Sequence, residues 1–311
     1  MNNIPKCRLC EANEDFQFIK GHHVCGGTNQ HHFWQCKKCG AIYLYPIPSE
    51  EEESQFYRKE FEKYMAVRSK QTGWSGPQKH VEMNQREVDR RLPFLDKFLR
   101  EGMKILEIGC SSGFMLYPLQ KRGHYTVGVE PSEEFRNFIA SNKIEVYPSV
   151  DELALHNKDF DMAIHYYLLE HIRNPEDFLK KCMSLVASSG IMIFEVPSAS
   201  DALLELYHVP AFDKFYWQII HHWYFTKESL SFLLDKIGYN YEIYPEQRYD
   251  LSNHITWMLT GEVGGLGKYT HIFGQELEQK YKEALKQHWY CDTLIAVVKK
   301  TIINVKTRGV F

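Results

Sequence analysis

The chain has 311 residues, with 37 Lys and Arg against 40 Asp and Glu, and a formal net charge of −3. That length suffices for one large domain and a small one. A balanced charge without a long basic run argues against a nucleic-acid partner, and no stretch reaches the roughly 18 apolar residues of a membrane span. The start, Met-Asn-Asn-Ile-Pro-Lys-Cys, lacks the apolar core of a signal peptide, so a cytoplasmic protein is expected.

Eight cysteines in such a chain point to metal or free thiols rather than disulfides. Cys7 and Cys10 are spaced by two residues, as are Cys36 and Cys39, and Gly40 follows the second pair. Two such pairs make a zinc-ribbon signature, each tight turn aiming two thiolates at one point. Four thiolates leave no open position, so structural Zn2+ is the expectation. His22, His23, Cys25, His31 and His32 lie between the pairs as substitute ligands. A ribbon over residues 1–48 cannot hold a large core, and the metal would supply the missing stability.

Ser49 followed by four glutamates starts a helix carrying Phe56, Tyr57, Phe61 and Tyr64. Residues 69–79 read as a loop. A helical stretch follows from about 80 to 100, with Pro93 expected to kink or split it. Residues 49–100 thus form a helical linker or cap.

Residues 104–113 read Lys-Ile-Leu-Glu-Ile-Gly-Cys-Ser-Ser-Gly. A short apolar strand ends in an acid, Glu107, and runs into a glycine-spaced turn. Backbone can approach a ligand closely at such a turn. A second strand, Val127-Gly128-Val129-Glu130, ends in an acid about twenty residues on, where Rossmann-like folds bind ribose hydroxyls. Further strands are expected near 144–147, 161–165, 190–195, 241–246 and 292–299, with connections long enough for right-handed crossovers. Residues 227–237 read as a helix ended by Gly238. Residues 248–290 are too many for a hairpin loop and read as an insertion with a helix near 274–288, serving as a lid or substrate wall.

Four segments in this order resemble the class I S-adenosylmethionine-dependent methyltransferases. Residues 104–113 resemble the first motif, and Glu130 the ribose-binding acid. Phe160-Asp161-Met162-Ala163-Ile164 resembles the fourth strand. Leu168-Leu169-Glu170-His171-Ile172, with Asn174-Pro175, resembles the LEH…P segment. Leu185 to Pro197 resembles the helix, turn and fifth strand. Ser111 stands where the family usually has a second glycine. The resemblance implies an α/β fold, a Rossmann-like seven-stranded sheet over 101–311, behind the small zinc ribbon. It implies S-adenosylmethionine held by Glu107, Gly109, Ser111, Gly113, Glu130 and Pro131, with His165 and Tyr166 beside the methyl group.

Methyl transfer is an in-line displacement, and a hydroxyl acceptor also needs a base. Histidine suits that task. His171 matches a His common in the family. His221 and His222 precede Trp223-Tyr224-Phe225-Thr226, which resembles the family's H…YF(T/S) element, with His222 the better match. Together with the ribbon, residues 195–226 also resemble sugar C-methyltransferases acting on nucleotide-linked keto-sugars. Those enzymes carry a Glu-His pair where this chain has Ile220 and His221, and a further C-terminal domain that this chain does not reach. The expectation is therefore methylation of the oxygen or nitrogen of a sugar, glycan precursor or related small molecule. Tyr57, Tyr64, Tyr224, Arg248, Asn253 and His254 are the candidate acceptor contacts. C-methylation of a keto-sugar is the alternative. So is methylation of ribosomal or transfer RNA gripped by the ribbon, which holds Lys6, Arg8, Lys20, Lys37 and Lys38.

Overall fold

The computed structural model describes residues 4–59, 76–156 and 158–302. The chain opens with three antiparallel strands, β1 (Gln17–Gly21), β2 (His32–Cys36) and β3 (Ile42–Tyr45). Helix α1 (Glu50–Lys59) follows, its first turn closed by a reciprocal cap. Ser49 Oγ accepts from Glu52 N at 3.2 Å, and Glu52 Oε2 accepts from Ser49 N at 2.7 Å. Helices α2 (Gly76–Met83) and α3 (Gln85–Leu95) come next. The expected break at Pro93 falls instead at Asn84. Pro93 sits near the end of α3, where a missing N–H disturbs little. Residues 76–79, read from the sequence as loop, belong to α2.

The large sheet then builds by alternation: β4 (Lys104–Ile108), α4 (Leu116–Lys121), β5 (Tyr125–Val129), α5 (Glu133–Ser141), β6 (Glu145–Tyr147), α6 (Val150–His156), β7 (Phe160–Tyr166), α7 (Pro175–Leu185) and β8 (Val186–Pro197). Two short helices, α8 (Ala202–Glu205) and α9 (Pro210–Tyr216), lead to a two-residue strand, β9 (Trp223–Tyr224). Then come α10 (Lys227–Ile237), β10 (Tyr239–Glu246), α11 (Leu251–Thr260), α12 (Thr270–Gln287) and β11 (Thr293–Ile302). The strand order is β10-β11-β8-β7-β4-β5-β6, with β11 antiparallel to both neighbours and the pairs among β4–β8 parallel. This is the seven-stranded Rossmann-like sheet expected from the resemblance. Gly238 caps α10 at φ +80°, as expected. The insertion holds two helices rather than one, because α11 begins within four residues of Arg248.

Alternation along the strands divides the core. Leu106, Ile108, Val127, Ala163, Met192 and Phe194 belong to one apolar cluster, whereas Ile105, Met162, Ile164, Ile193 and Ile295 belong to another with α3 and α4. The first cluster continues through Leu230 and Leu234 of α10 into Leu9, Trp34, Tyr43 and the paired cysteines. The N-terminal sheet is therefore packed into the larger domain. Its fourth strand is β9, with Ile42 opposite Tyr224 and Tyr43 opposite Trp223. Arg8 fixes the junction. Its guanidinium donates to the carbonyls of Leu44, His222 and Arg173 at 3.1–3.4 Å and lies 4.6 Å over the Trp223 ring. Among the described residues no helix is long and apolar enough to cross a membrane.

Candidate functional site

The turn after β4 approaches the end of β5 through backbone contacts. Gly109 N and Cys110 N both donate to Val129 O, at 2.8 and 3.1 Å. Gly109 and Gly113 have φ of +71° and +76°, and a Cβ on Gly109 would meet Leu168 at 3.3 Å. Ser111, where the family usually has glycine, also adopts a left-handed φ of +50°. A serine there bears a strain that glycine would avoid.

Two buried carboxylates flank this turn. Glu130 accepts from Ser111 N and Ser132 N at 2.8 Å each. Glu107 is 2 % exposed, and its Oε2 has no hydrogen-bond partner among the described residues. Burial pushes its carboxyl up to about 8, with Arg91 opposing the rise. A buried acid with one oxygen lacking a hydrogen-bond partner beside a glycine turn suits a ligand carrying an ammonium group. Pro131 follows Glu130 at the exposed rim.

Helix α2 closes on the same turn, since His80 Nδ1 lies 2.8 Å from Ser112 Oγ. Arg90 and Arg91 of α3 bind Glu195 at the end of β8, at 2.8–3.0 Å. Arg91 also lies 3.8 Å over the Tyr166 ring. None of these partners was legible in the helix between 80 and 100, where only the apolar spacing stood out. Tyr166 is half-buried at this place, but His165 is not brought there. It is fully buried and stacked on Phe194 with ring centroids 4.6 Å apart. Successive strand residues point to opposite faces, so only one of the two can face the turn.

Beyond β7 lies a cavity of about 440 Å3, lined by residues of β7's end, the α8–α9 segment and the insertion. Tyr167, Glu170 and His171 open it; Phe212, Tyr216, Tyr224 and Trp257 supply aromatic walls; Arg248, Asn253, Asp201 and Asp292 supply polar ones. Tyr167 takes φ +51°, a strained conformation at the junction of the turn and the cavity. Arg248 Nε lies 3.2 Å from Asp292 Oδ1, and its guanidinium covers the Tyr167 ring at 4.5 Å. Asn253 Oδ1 is buried without a partner among the described residues. Burial and neighbouring Asp292 push the Asp201 carboxyl up to about 8.

His171 lines two cavities, sharing the larger with His221 and a smaller one with His222. His171 and His221 line the large cavity, with ring centroids 4.6 Å apart. His222 lines a smaller one of about 270 Å3 on the ribbon side, with Glu52, Glu53 and Pro48. Burial, with Arg8 and Arg173 nearby, holds the His222 imidazole down to about 3. The sequence match favoured His222; in the structure His221 lines the larger cavity and His222 the smaller. His254 is also displaced: it is fully buried, with Nδ1 2.6 Å from Tyr281 Oη, and ties α11 to α12. Tyr64 lies outside the described residues, as does the side chain of Tyr57.

The four ribbon cysteines converge with all sulfurs within 4.8 Å of one another. Cys7 and Cys39 Sγ are 3.5 Å apart, and Cys10 and Cys36 Sγ 3.7 Å. A tetrahedron with Zn–S bonds of about 2.3 Å has edges of about 3.8 Å. Backbone amides of Leu9 and Lys38 point at Cys7 and Cys36 Sγ, both at 3.4 Å, as thiolates require. The set fits a structural zinc. Cys25 stands apart, its N–H donating to Trp217 O at 2.7 Å.

Residues 80–242 match the family described as a methyltransferase domain. The chain is similar to a ubiquinone biosynthesis O-methyltransferase of Agrobacterium fabrum, 29% identical over 99 residues, or 30% of this chain and 40% of that protein. A protein of the same description from a Caulobacter species is 30% identical over 117 residues, or 35% of this chain and 44% of that one. The chain thus spans less than half the length of these curated relatives. Among solved structures, an S-adenosylmethionine-dependent methyltransferase from Archaeoglobus fulgidus is 20% identical, covers 69% of this chain and 94% of its own, and aligns with a TM-score of 0.48. With more than half of its length matched by that family, the chain belongs to the methyltransferase-domain family.

Proposed function

We propose that the protein transfers a methyl group from S-adenosylmethionine to an oxygen or nitrogen of a small polar acceptor held in the 440 Å3 cavity. One observation carries this reading. The glycine turn with its two buried acids adjoins, through Tyr166 and Tyr167, a cavity with aromatic walls and buried polar groups. When bound, S-adenosylmethionine supplies a methyl group activated by sulfonium charge. The chain's residues position the partners. Glu130 would receive the ribose hydroxyls, Glu107 the amino group, and the turn from Gly109 to Gly113 would shape room for the carboxylate.

The cavity suits a sugar or glycan precursor. Tyr216, Tyr224 and Trp257 offer faces to C–H groups, while Asn253 Oδ1 and Arg248 offer partners to hydroxyls or phosphate. Enclosure by the insertion would exclude water from the reacting atoms. Glu170, His171 and His221 form the polar cluster beside which an acceptor hydroxyl would be activated. The four cysteines would hold Zn2+ as a structural ion.

Calorimetric titration with S-adenosylmethionine tests the donor half. Wild type should bind, and Glu130→Ala should bind about tenfold to a hundredfold more weakly, the loss expected for hydrogen bonds to a charged group. Absence of binding by wild type would overturn the reading. Labelled donor with nucleotide sugars, glycans, phenols and RNA then identifies the acceptor.

A further inference from the structure

The large cavity contains a second cluster of metal-ligating groups, remote in chemistry from the thiolate site. Donor atoms of Glu170, His171 and His221 all lie within 4.8 Å of one another. Two come from the turn after β7 and the third from the segment before β9, so the cluster is assembled by the fold.

Its details are those of ligands. Glu170 is 1 % exposed, and its Oε2 has no hydrogen-bond partner among the described residues. His171 Nδ1 lies 3.0 Å from Ile220 O. Donation to that carbonyl fixes the tautomer and leaves Nε2 with its lone pair, the arrangement that orients a metal-bound imidazole. The three residues also line the cavity, so further coordination positions would face the acceptor space.

We propose that Glu170, His171 and His221 bind a divalent first-row cation with open positions toward the cavity. One carboxylate and two imidazoles form a borderline set that suits Zn2+, Co2+ or Fe2+ better than Mg2+. The ion would neutralise the Glu170 carboxylate, coordinate an acceptor oxygen and lower the pKa of its hydroxyl. That role rests on reading the cavity as the acceptor site, but the binding of the ion does not.

Co2+ titration of the metal-depleted full chain, followed by optical absorption, tests the site. Thiolate ligation gives intense charge-transfer bands, whereas oxygen and nitrogen ligation gives weak visible bands. Wild type should show both classes, one equivalent each. Glu170→Gln and His221→Ala should each lose the weak bands and keep the thiolate bands, which report that the ribbon and its shared core remain folded. No second class in wild type, or a second class that persists in both variants, would overturn the proposal. A parallel titration with S-adenosylmethionine separates this failure from failure of the methyltransferase reading, because donor binding involves none of the three ligands.

Discussion

His222 Nε2 lies 2.9 Å from Glu53 Oε1, joining the segment before β9 to helix α1. The imidazole is held neutral, so the contact is a hydrogen bond donated by Nε2–H. The His222 carbonyl accepts from Leu44 N at 3.0 Å and its N–H donates to Glu170 O at 2.7 Å. His222 is thereby a junction of ribbon, helix and LEH turn, while its neighbour His221 faces the cavity.

The two residues should separate in mutation. His221→Asn is expected to lower kcat by about a hundredfold or more, the scale of proton-transfer or metal-assisted assistance, with donor affinity unchanged. His222→Asn should leave kcat within a few fold and lower Tm, through loss of a buried hydrogen bond of about 1–3 kcal/mol. Steady-state kinetics and calorimetry on the two variants check the assignment. A kinetic collapse in His222→Asn with unchanged Tm would reverse it.

Removal of the Zn2+ proposed at the four cysteines should destabilise the whole chain, not only its first 48 residues. The ribbon's Leu9, Trp34 and Tyr43 share one core with α7 and α10, and Lys236 of α10 donates to Leu9 O at 3.1 Å. Chelation is therefore expected to lower Tm in a single transition, restored by added Zn2+. Two separate transitions, the upper one unmoved, would show that the ribbon folds independently.

Much of this was legible in the sequence because it is local. A strand ending in Glu107 and a glycine turn, a second ending in Glu130, and two Cys pairs each carry their spacing within a few residues. Pairing of β3 with β9 has no local signature, since Tyr43 and Trp223 meet only through tertiary folding. His221 and His222 lie just before β9 and line different cavities, and adjacent residues of the same type give no clue to which lines which. Glu170 lay within a recognised segment, yet its role depends on His221, which lies 51 residues later. Helix α11 was missed because its buried face includes Ser252, Asn253, His254 and Thr256, polar residues that obscure an apolar period.

His165 gives a pH dependence of stability. Burial alone lowers its imidazole from 6.5 to about 3, and neither ring nitrogen has a partner among the described residues. The unfolded chain binds this proton below pH 6.5, whereas the folded chain refuses it until about pH 3. Its contribution is therefore fully present above pH 6.5 and lost as pH falls toward 3, by at most about 1.4 kcal/mol per pH unit. His165→Leu should flatten the decline of stability between pH 6.5 and 4.5 and raise stability at acid pH. Urea unfolding across that range measures the difference, and parallel curves for the two proteins would refute it.

Glu195 links stability to the site. Burial acts to raise its carboxyl, but Arg91 and Arg90 outweigh burial and hold it below the usual carboxylate range. Both oxygens accept from Arg90 at 2.8 Å, and Oε2 also accepts from Arg91 Nε at 3.0 Å. Glu195→Gln would leave two buried guanidiniums with Glu87 as their remaining carboxylate, which lies 2.6 Å from Arg90 Nη2 and 3.6 Å from Arg91 Nη2. Breaking a buried ion pair on one side costs about 3–5 kcal/mol. The backbone consequence is at the site, because Glu195 O accepts from the N–H of strained Tyr167 at 2.9 Å. Loosened helix α3 would also release Arg91 from the face of Tyr166. Glu195→Gln is therefore expected to lower Tm by several degrees and to weaken S-adenosylmethionine binding together with it, whereas a surface control such as Lys280→Gln should change neither. Calorimetry in the presence and absence of the donor distinguishes the two effects. A normal donor affinity in a destabilised Glu195→Gln protein would show that the arginine pair holds the fold without shaping the site.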